Sequence, residues 1–299
     1  MEIELSQPNS LLTTIQNNTG LITPQRSDIQ NDLNILCLLH GRKLYNILLD
    51  DHDLIHYYDN KIVLKTILTS DNTSVMRIMG KVAESVIARK CEESLYANKL
   101  WMFYASGTAV RDEIASMYKA VGTGFKSTQA KHSTVYNPQD TQRDIIWIGE
   151  DGFHFPVRGS SSTGARDAGL QVKISTNGLP YLYKDLVEHT YEVPVVYFDL
   201  NKDYEYIFSK VSKDLEDESE YSLSERFISV RECDEDAFLE AEYYMQMIQA
   251  VADGRLEVDD FINRAGSNET FGSAVMASAF ETITNTTLLR ASSDRSPLL

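Results

Sequence analysis

Gly169-Leu170-Gln171-Val172-Lys173-Ile174-Ser175 decides how the chain is read. Leu170, Val172 and Ile174 alternate with Gln171, Lys173 and Ser175, a period of two that predicts a strand with one apolar and one polar face. Gln171 and Lys173 then point the same way, roughly 6.5–7 Å apart along the strand. Upstream, Asp144-Ile145-Ile146-Trp147-Ile148 is a second strand-like run that opens on a carboxylate. Further upstream, residues Asp71 to Leu95 predict a helix, with Ser70, Asp71 or Asn72 as N-cap and Val75, Ile78, Met79, Val82 and Val86 as its apolar stripe. Glu84 lies off that stripe, and Gly80 and Ala88, one turn to either side, leave room around it. Downstream, Val193 to Leu200 is strongly β-prone.

Composition sets the class. With 42% apolar and 24% charged residues in 299, the chain can bury a full core and is not broadly disordered. Met1 to Leu5 carries no basic, apolar leader, and no run reaches the ~18 apolar residues of a membrane helix. Cys37, Cys91 and Cys233 lack metal or redox spacing and read as reduced thiols, which places the chain in the cytoplasm. The net charge of −16 argues against a nucleic-acid partner until it is located. Residues 214–260 hold 16 acidic residues against three arginines, whereas residues 76–213 hold 17 basic against 16 acidic. The acidity is thus a separate feature, either turned away from a substrate cleft or laid over its basic residues as a cover.

Three regions follow. Residues 1–70 form an N-terminal, largely helical extension, whose first 30 residues are polar and peripheral. Residues 71–213 form the α/β core, and residues 214–299 an acidic helical region with a stripe of Phe238, Ala241, Met245 and Ile248 and a frayed end from Arg290. Within the core, Leu100 to Ala105 is a short aromatic run, Val110 to Ala120 predicts a helix, and Gly122 to Gln139 a loop. Glu150-Asp151-Gly152 signals a turn into Phe153 to Val157, and Gly159 to Gly164 a flexible connection. The expected fold is α/β, a mixed central sheet flanked by helices with helical additions at both ends.

The polar residues suit phosphodiester cleavage. That reaction needs an activated water, charge neutralisation and a stabilised leaving oxygen, which a divalent cation on hard oxygen ligands supplies. Asp144 is the first choice as direct ligand; Gln171 offers its amide oxygen, Val172 its main-chain carbonyl, and Glu84 a carboxylate from the helix. Lys173 is placed to orient the attacking water and offset phosphate charge. Asp167, four residues before Gln171, is the alternative carboxylate if Gln171 does not serve.

The order of helix with Glu84, strand with Asp144, and strand with Gln171 and Lys173, followed by a polar-apolar segment and a β-prone run, resembles the PD-(D/E)xK or restriction-endonuclease-like nuclease superfamily. It resembles the variant in which Gln replaces the second acid, over roughly Thr69 to Asp203. The resemblance implies a restriction-endonuclease-like core, an endonuclease dependent on Mg²⁺ or Mn²⁺, Glu84, Asp144, Gln171 and Lys173 as catalytic residues, and DNA rather than RNA as substrate. Restriction, phage defence and DNA processing are the roles it suggests. Oligomeric state is not fixed by these residues, and a homodimer stays open. The rival reading is a binding or regulatory protein on the same scaffold with catalysis lost, which Gln171 and the acidic balance favour. An acidic mimic of nucleic acid fits less well, because the acidity is confined to one region.

Other signals fall short. Gly122 to Ser127 fails the phosphate-loop spacing. His52 and His56, four apart, have no third ligand and read as a surface pair on a helix. Gly159 to Ser162 lacks the context of a nucleophile elbow. Tyr181 and Tyr183, at the start of a helix, are placed to line the cleft.

Overall fold

A computed structural model of the chain describes residues 32–158, 166–215 and 220–266. The readings of residues 1–30, Gly159–Gly164 and Arg290–Leu299 lie outside them, as do residues 216–219 of the acidic region.

The described residues build a mixed α/β architecture around one five-stranded sheet. Helical residues 32–51 (α1), wound as π-helix at Cys37–Gly41 and Ile47–Asp51, lead into a hairpin of β1 (Ile55–Tyr58) and β2 (Lys61–Leu64). Then come α2 (Asn72–Glu93), α3 (Leu95–Ser106), α4 (Asp112–Ala115), β3 (Tyr118–Gly122), α5 (Lys126–Lys131), β4 (Ile145–Gly149) and β5 (Gly169–Ser175). The remainder is α6 (Gly178–Val187), β6 (Val195–Asp199), α7 (Tyr204–Asp214), α8 (Glu220–Arg226), β7 (Phe227–Ser229), α9 (Val230–Cys233), α10 (Glu235–Ala252) and α11 (Asp260–Gly266). The sheet runs β3-β4-β5-β6-β7, antiparallel through β3, β4 and β5 and parallel through β5, β6 and β7. Among the described residues no helix is long and apolar enough to cross a membrane.

Two apolar layers sandwich the sheet. On one face Leu170, Val172, Ile174, Val196 and Phe198 pack with α2 and α10. On the other, Val195 and Tyr197 pack with Leu182 and Leu186 of α6 and Ile207 and Val211 of α7. The α2 stripe behaves as its spacing requires: Val75, Met79 and Val82 are fully buried, each worth about 1.5–3 kcal/mol. Asp71 caps the helix, its Oδ1 accepting from Ser74 N–H at 3.1 Å.

Several expectations are corrected. On the polar face of β5, Gln171 is buried, only 6% exposed, while Lys173 and Ser175 stay half-buried. The helix expected over Val110–Ala120 shrinks to α4, and Tyr118–Gly122 becomes the edge strand β3. Asn98 marks the switch: its Nδ2 donates to the carbonyls of Ala115 (2.9 Å) and Tyr118 (3.0 Å), pinning the turn at Ser116 and Met117 that ends the helix and starts the strand. The Leu100–Ala105 run lies inside α3. His52 and His56 are not a helical pair, since His52 ends α1 and His56 stands on β1.

The described part of the acidic region belongs to the core. β7 pairs with β6, and Phe238, Ala241, Tyr244 and Met247 of α10 are fully buried in the layer that holds α2. Its acids are structural partners: Asp234 accepts from Trp101 Nε1 at 3.0 Å, Glu240 pairs with Lys90 at 3.0 Å, and Glu257 pairs with Lys61 at 2.9 Å. A chain ending before Asp214 would lose a strand and one wall of the core.

Candidate active site

The site forms where two paired strands separate. β4 and β5 pair through Ile145–Leu170 and Ile146–Gly169, and Asp144 N–H donates to Leu170 O at 2.8 Å. Beyond that point β5 continues as Gln171 to Ser175 with only β6 beside it. The N–H of Val172 faces the vacated edge and would be an orphaned donor. Asp144 satisfies it: Oδ2 accepts from Val172 N at 2.7 Å and from Gln171 Nε2 at 2.5 Å. Thr123 anchors the fork from the end of β3, its N–H donating to Asp144 O at 2.9 Å and its hydroxyl to Arg143 O at 2.8 Å.

Peptide groups alternate along a strand, so the carbonyl of Val172 faces the same edge as its N–H. The side chain of Gln171 is held by its amide nitrogen, and its Oε1 is buried without a hydrogen-bond partner. An unsatisfied buried oxygen costs about 1–3 kcal/mol. Next to a carboxylate, it is the atom in this site most in want of a cation or donor.

Glu84 and Lys173 reach the fork from opposite layers. Glu84 comes from α2 and is 8% exposed, and a Cβ at Gly80 would meet nothing within 4 Å, so one side of the helix there is open. Burial, then repulsion from Asp144, pushes the Glu84 carboxyl up to about 8. Asp144 is also raised, chiefly by burial, against the pull of the Val172 N–H and of Lys173 and Lys81. Lys173 comes from the α6 face and carries its ammonium over the Tyr191 ring at 4.8 Å and the Tyr181 ring at 5.6 Å, contacts worth about 0.5–2 kcal/mol each.

Hydrogen bonds thus join Asp144, Gln171 and the Val172 main chain, and Glu84 and Lys173 lie within electrostatic reach of Asp144. Asp167 does not join them: its Oδ2 stands 3.5 Å from both Arg143 and His154. The sequence reading missed Lys81, whose Nζ lies 3.3 Å from Glu84 Oε1 and 3.4 Å from Oε2. Its signal was available, a lysine three residues before the glutamate and hence on the same helix face. His52 also belongs to the surroundings. Its Nε2 lies 2.9 Å from Ser85 Oγ, and burial, then Lys81, lowers its pKa to about 3, so it is a neutral support rather than half of an ion site.

Among the described residues no cluster of three His, Cys, Asp or Glu side chains forms. The fork instead offers two carboxylates, one unpartnered amide oxygen and one carbonyl. That donor set suits a hard cation such as Mg²⁺, which is held by one or two carboxylates and keeps several waters. Comparison with family models, with curated proteins and with solved structures finds no match.

Proposed function

We propose that the chain is a divalent-metal-dependent nuclease that hydrolyses phosphodiester bonds at the fork, with DNA the foremost substrate. The observation that carries this reading is the buried, unpartnered Oε1 of Gln171 beside Asp144. Asp144, Gln171, the Val172 carbonyl and Glu84 would hold Mg²⁺ or Mn²⁺, which when bound neutralises phosphate charge and acidifies water. Val172 N–H and Thr123 fix Asp144, so the ligand is preorganised before anything binds. Glu84, raised in the metal-free site by burial and by repulsion from Asp144, would release its proton when a cation offsets that repulsion. Lys173, steered by two tyrosine rings, brings a positive charge to the scissile phosphate. The order of elements through β3, β4, β5, α6 and β6 supports the restriction-endonuclease-like resemblance.

One observation favours the rival reading of a binding scaffold without catalysis. Gln171 Nε2 already neutralises Asp144 Oδ2 through a hydrogen bond, as a retired site would. Incubation of the full chain with plasmid, linear and single-stranded substrates in Mg²⁺, Mn²⁺ or EDTA separates the two. Metal-dependent cutting should fall at least about 10²–10³-fold in Asp144→Asn and in Lys173→Ala. Asn keeps an oxygen for Val172 N–H, so circular dichroism should be unchanged. Metal-independent cutting, or wild-type rates in either variant, would defeat the nuclease assignment.

A further inference from the structure

A groove of about 1160 Å³ runs away from the fork, and nothing in the chemistry above uses it. It is continuous with the site through three residues. Tyr191 lines the groove and also seats the Lys173 ammonium. Arg143 lines it and directly precedes Asp144. Pro194 lines it, and its carbonyl accepts the N–H of Gln171 at 3.0 Å.

Its walls combine cations and rings. Arg158 and Arg166 are exposed and form no ion pair among the described residues. Val157 N–H donates to Arg166 O at 2.8 Å, which brings the two segments that carry them together at the groove. Arg158 N–H donates to Ser106 O at 2.9 Å, which seats this arm against the end of α3, where Phe103 and Tyr104 also line the groove. Phe103 is 44% exposed, unusual for a phenylalanine on a packed helix. The Tyr191 hydroxyl donates to Asp185 Oδ2 at 3.1 Å, fixing the ring. Of the acids lining the groove, Asp140 and Asp167 are engaged by Arg143 at 3.0 and 3.5 Å, while Glu225 and Glu232 come from α8 and α9 and Glu192 from the turn before β6. Those acids repel a phosphate chain and bias it toward the arginine arm.

We infer that this groove holds a single-stranded stretch of nucleic acid next to the scissile phosphate, with Arg158 and Arg166 on phosphates and Phe103 and Tyr191 under bases. Cations that track a backbone beside rings that receive bases are the physical requirements for single-strand binding. In a duplex the bases stack on one another and cannot turn onto protein rings. The inference rests on the nuclease reading for its direction, toward the fork, and it makes the substrate a single strand or the unpaired tail of a duplex.

Binding is measured apart from cleavage. Labelled oligothymidylate, a blunt duplex and a tailed duplex are titrated with the full chain in EDTA, at low and moderate salt, by fluorescence anisotropy. The single strand and the tailed duplex should bind more tightly than the blunt duplex. Arg158→Ala/Arg166→Ala, both exposed and harmless to folding, should weaken single-strand binding and flatten the slope of log affinity against log salt by about 1.4, two phosphates at ~0.7 each. Phe103→Ala should weaken it roughly 5-fold or more. Equal affinity for blunt duplex and single strand, or an unchanged salt slope in the double variant, overturns the inference. Binding of this pattern without metal-dependent cleavage would defeat the nuclease reading and leave the groove standing. Cleavage with wild-type affinity in the double variant would do the reverse.

Discussion

Two buried acidic clusters stand on neighbouring strands and are finished in opposite ways. At the end of β6, Asp199 takes a hydrogen bond on Oδ1 from Arg231 Nε at 3.1 Å, and the same guanidinium donates to the Asp199 carbonyl at 3.1 Å while lying 3.8 Å over the Phe238 ring. Next to it, Asp203 accepts from Tyr197 Oη at 2.8 Å and from Gly178 N–H at 2.7 Å. Each carboxylate there has a dedicated donor. At the fork, two carboxylates repel each other, one of them is pushed up to about 8, and a buried amide oxygen has no partner. Both clusters carry the desolvation cost of buried charge. Asp199 and Glu84 are both held above the ordinary carboxylate range, chiefly by burial; what sets the fork apart is that Gln171 Oε1 is left without a partner.

The sharpest way to break this comparison is to remove one cation from each cluster. Arg231→Ala leaves Asp199 buried and unpaired and should cost about 3–5 kcal/mol, read as a large drop in the urea midpoint. Lys173→Ala leaves its neighbours able to reach solvent and should cost roughly 1 kcal/mol. Equal losses in the two variants would erase the distinction between the clusters.

Gln171→Glu tests whether the fork awaits a cation. The substitution removes the donor to Asp144 and sets a third carboxylate against two others, so the metal-free protein should lose about 1–3 kcal/mol. Mg²⁺ should restore the thermal midpoint, and the metal titration midpoint should fall below that of wild type. A variant whose melting ignores Mg²⁺ would show that Gln171 does not face the ion.

The last test is a slope. Folding raises the Glu84 carboxyl from its ordinary 4.5 to about 8. Between those values the folded chain holds a proton that the unfolded chain has released, so this group makes stability fall as pH rises through that window, with the whole loss present above 8. Glu84→Gln carries no such proton. Its stability relative to wild type, measured without metal, should climb from pH 4 to pH 9. A difference that stays flat with pH would mean that Glu84 is charged throughout.

Much of this was legible in the residues because it depends on period and order. The stripe of α2, the alternation of β5 and the apolar run of β6 each fix an element, and their order brings Glu84, Asp144, Gln171 and Lys173 together. What was not legible depends on partners far along the chain. Tyr118–Gly122 is too short to declare itself a strand without Asn98, and Phe227–Ser229 becomes β7 only because β6 is there to pair with it. The burial of Gln171 could not be read from an alternation that equally describes a solvated face. The orphaned N–H of Val172, which gives Asp144 its place, arises from the parting of two strands and has no counterpart in any single residue.

The position of α10 against α2 also carries a consequence for how the chain is made. Residues 94–234 separate the two helices, so during synthesis at about 5–20 residues per second α2 emerges roughly 7–30 s before its cover. For that interval the apolar surface of α2 that packs on α10 has no cover, and the nascent chain presents an adhesive surface to chaperones and to its own neighbours on the polysome. Stalled nascent chains ending before residue 235 should be protease-sensitive within α2, and chains long enough to free residue 252 from the ribosome should not. The wall that carries Glu84 is thus translated well before the helix that secures it.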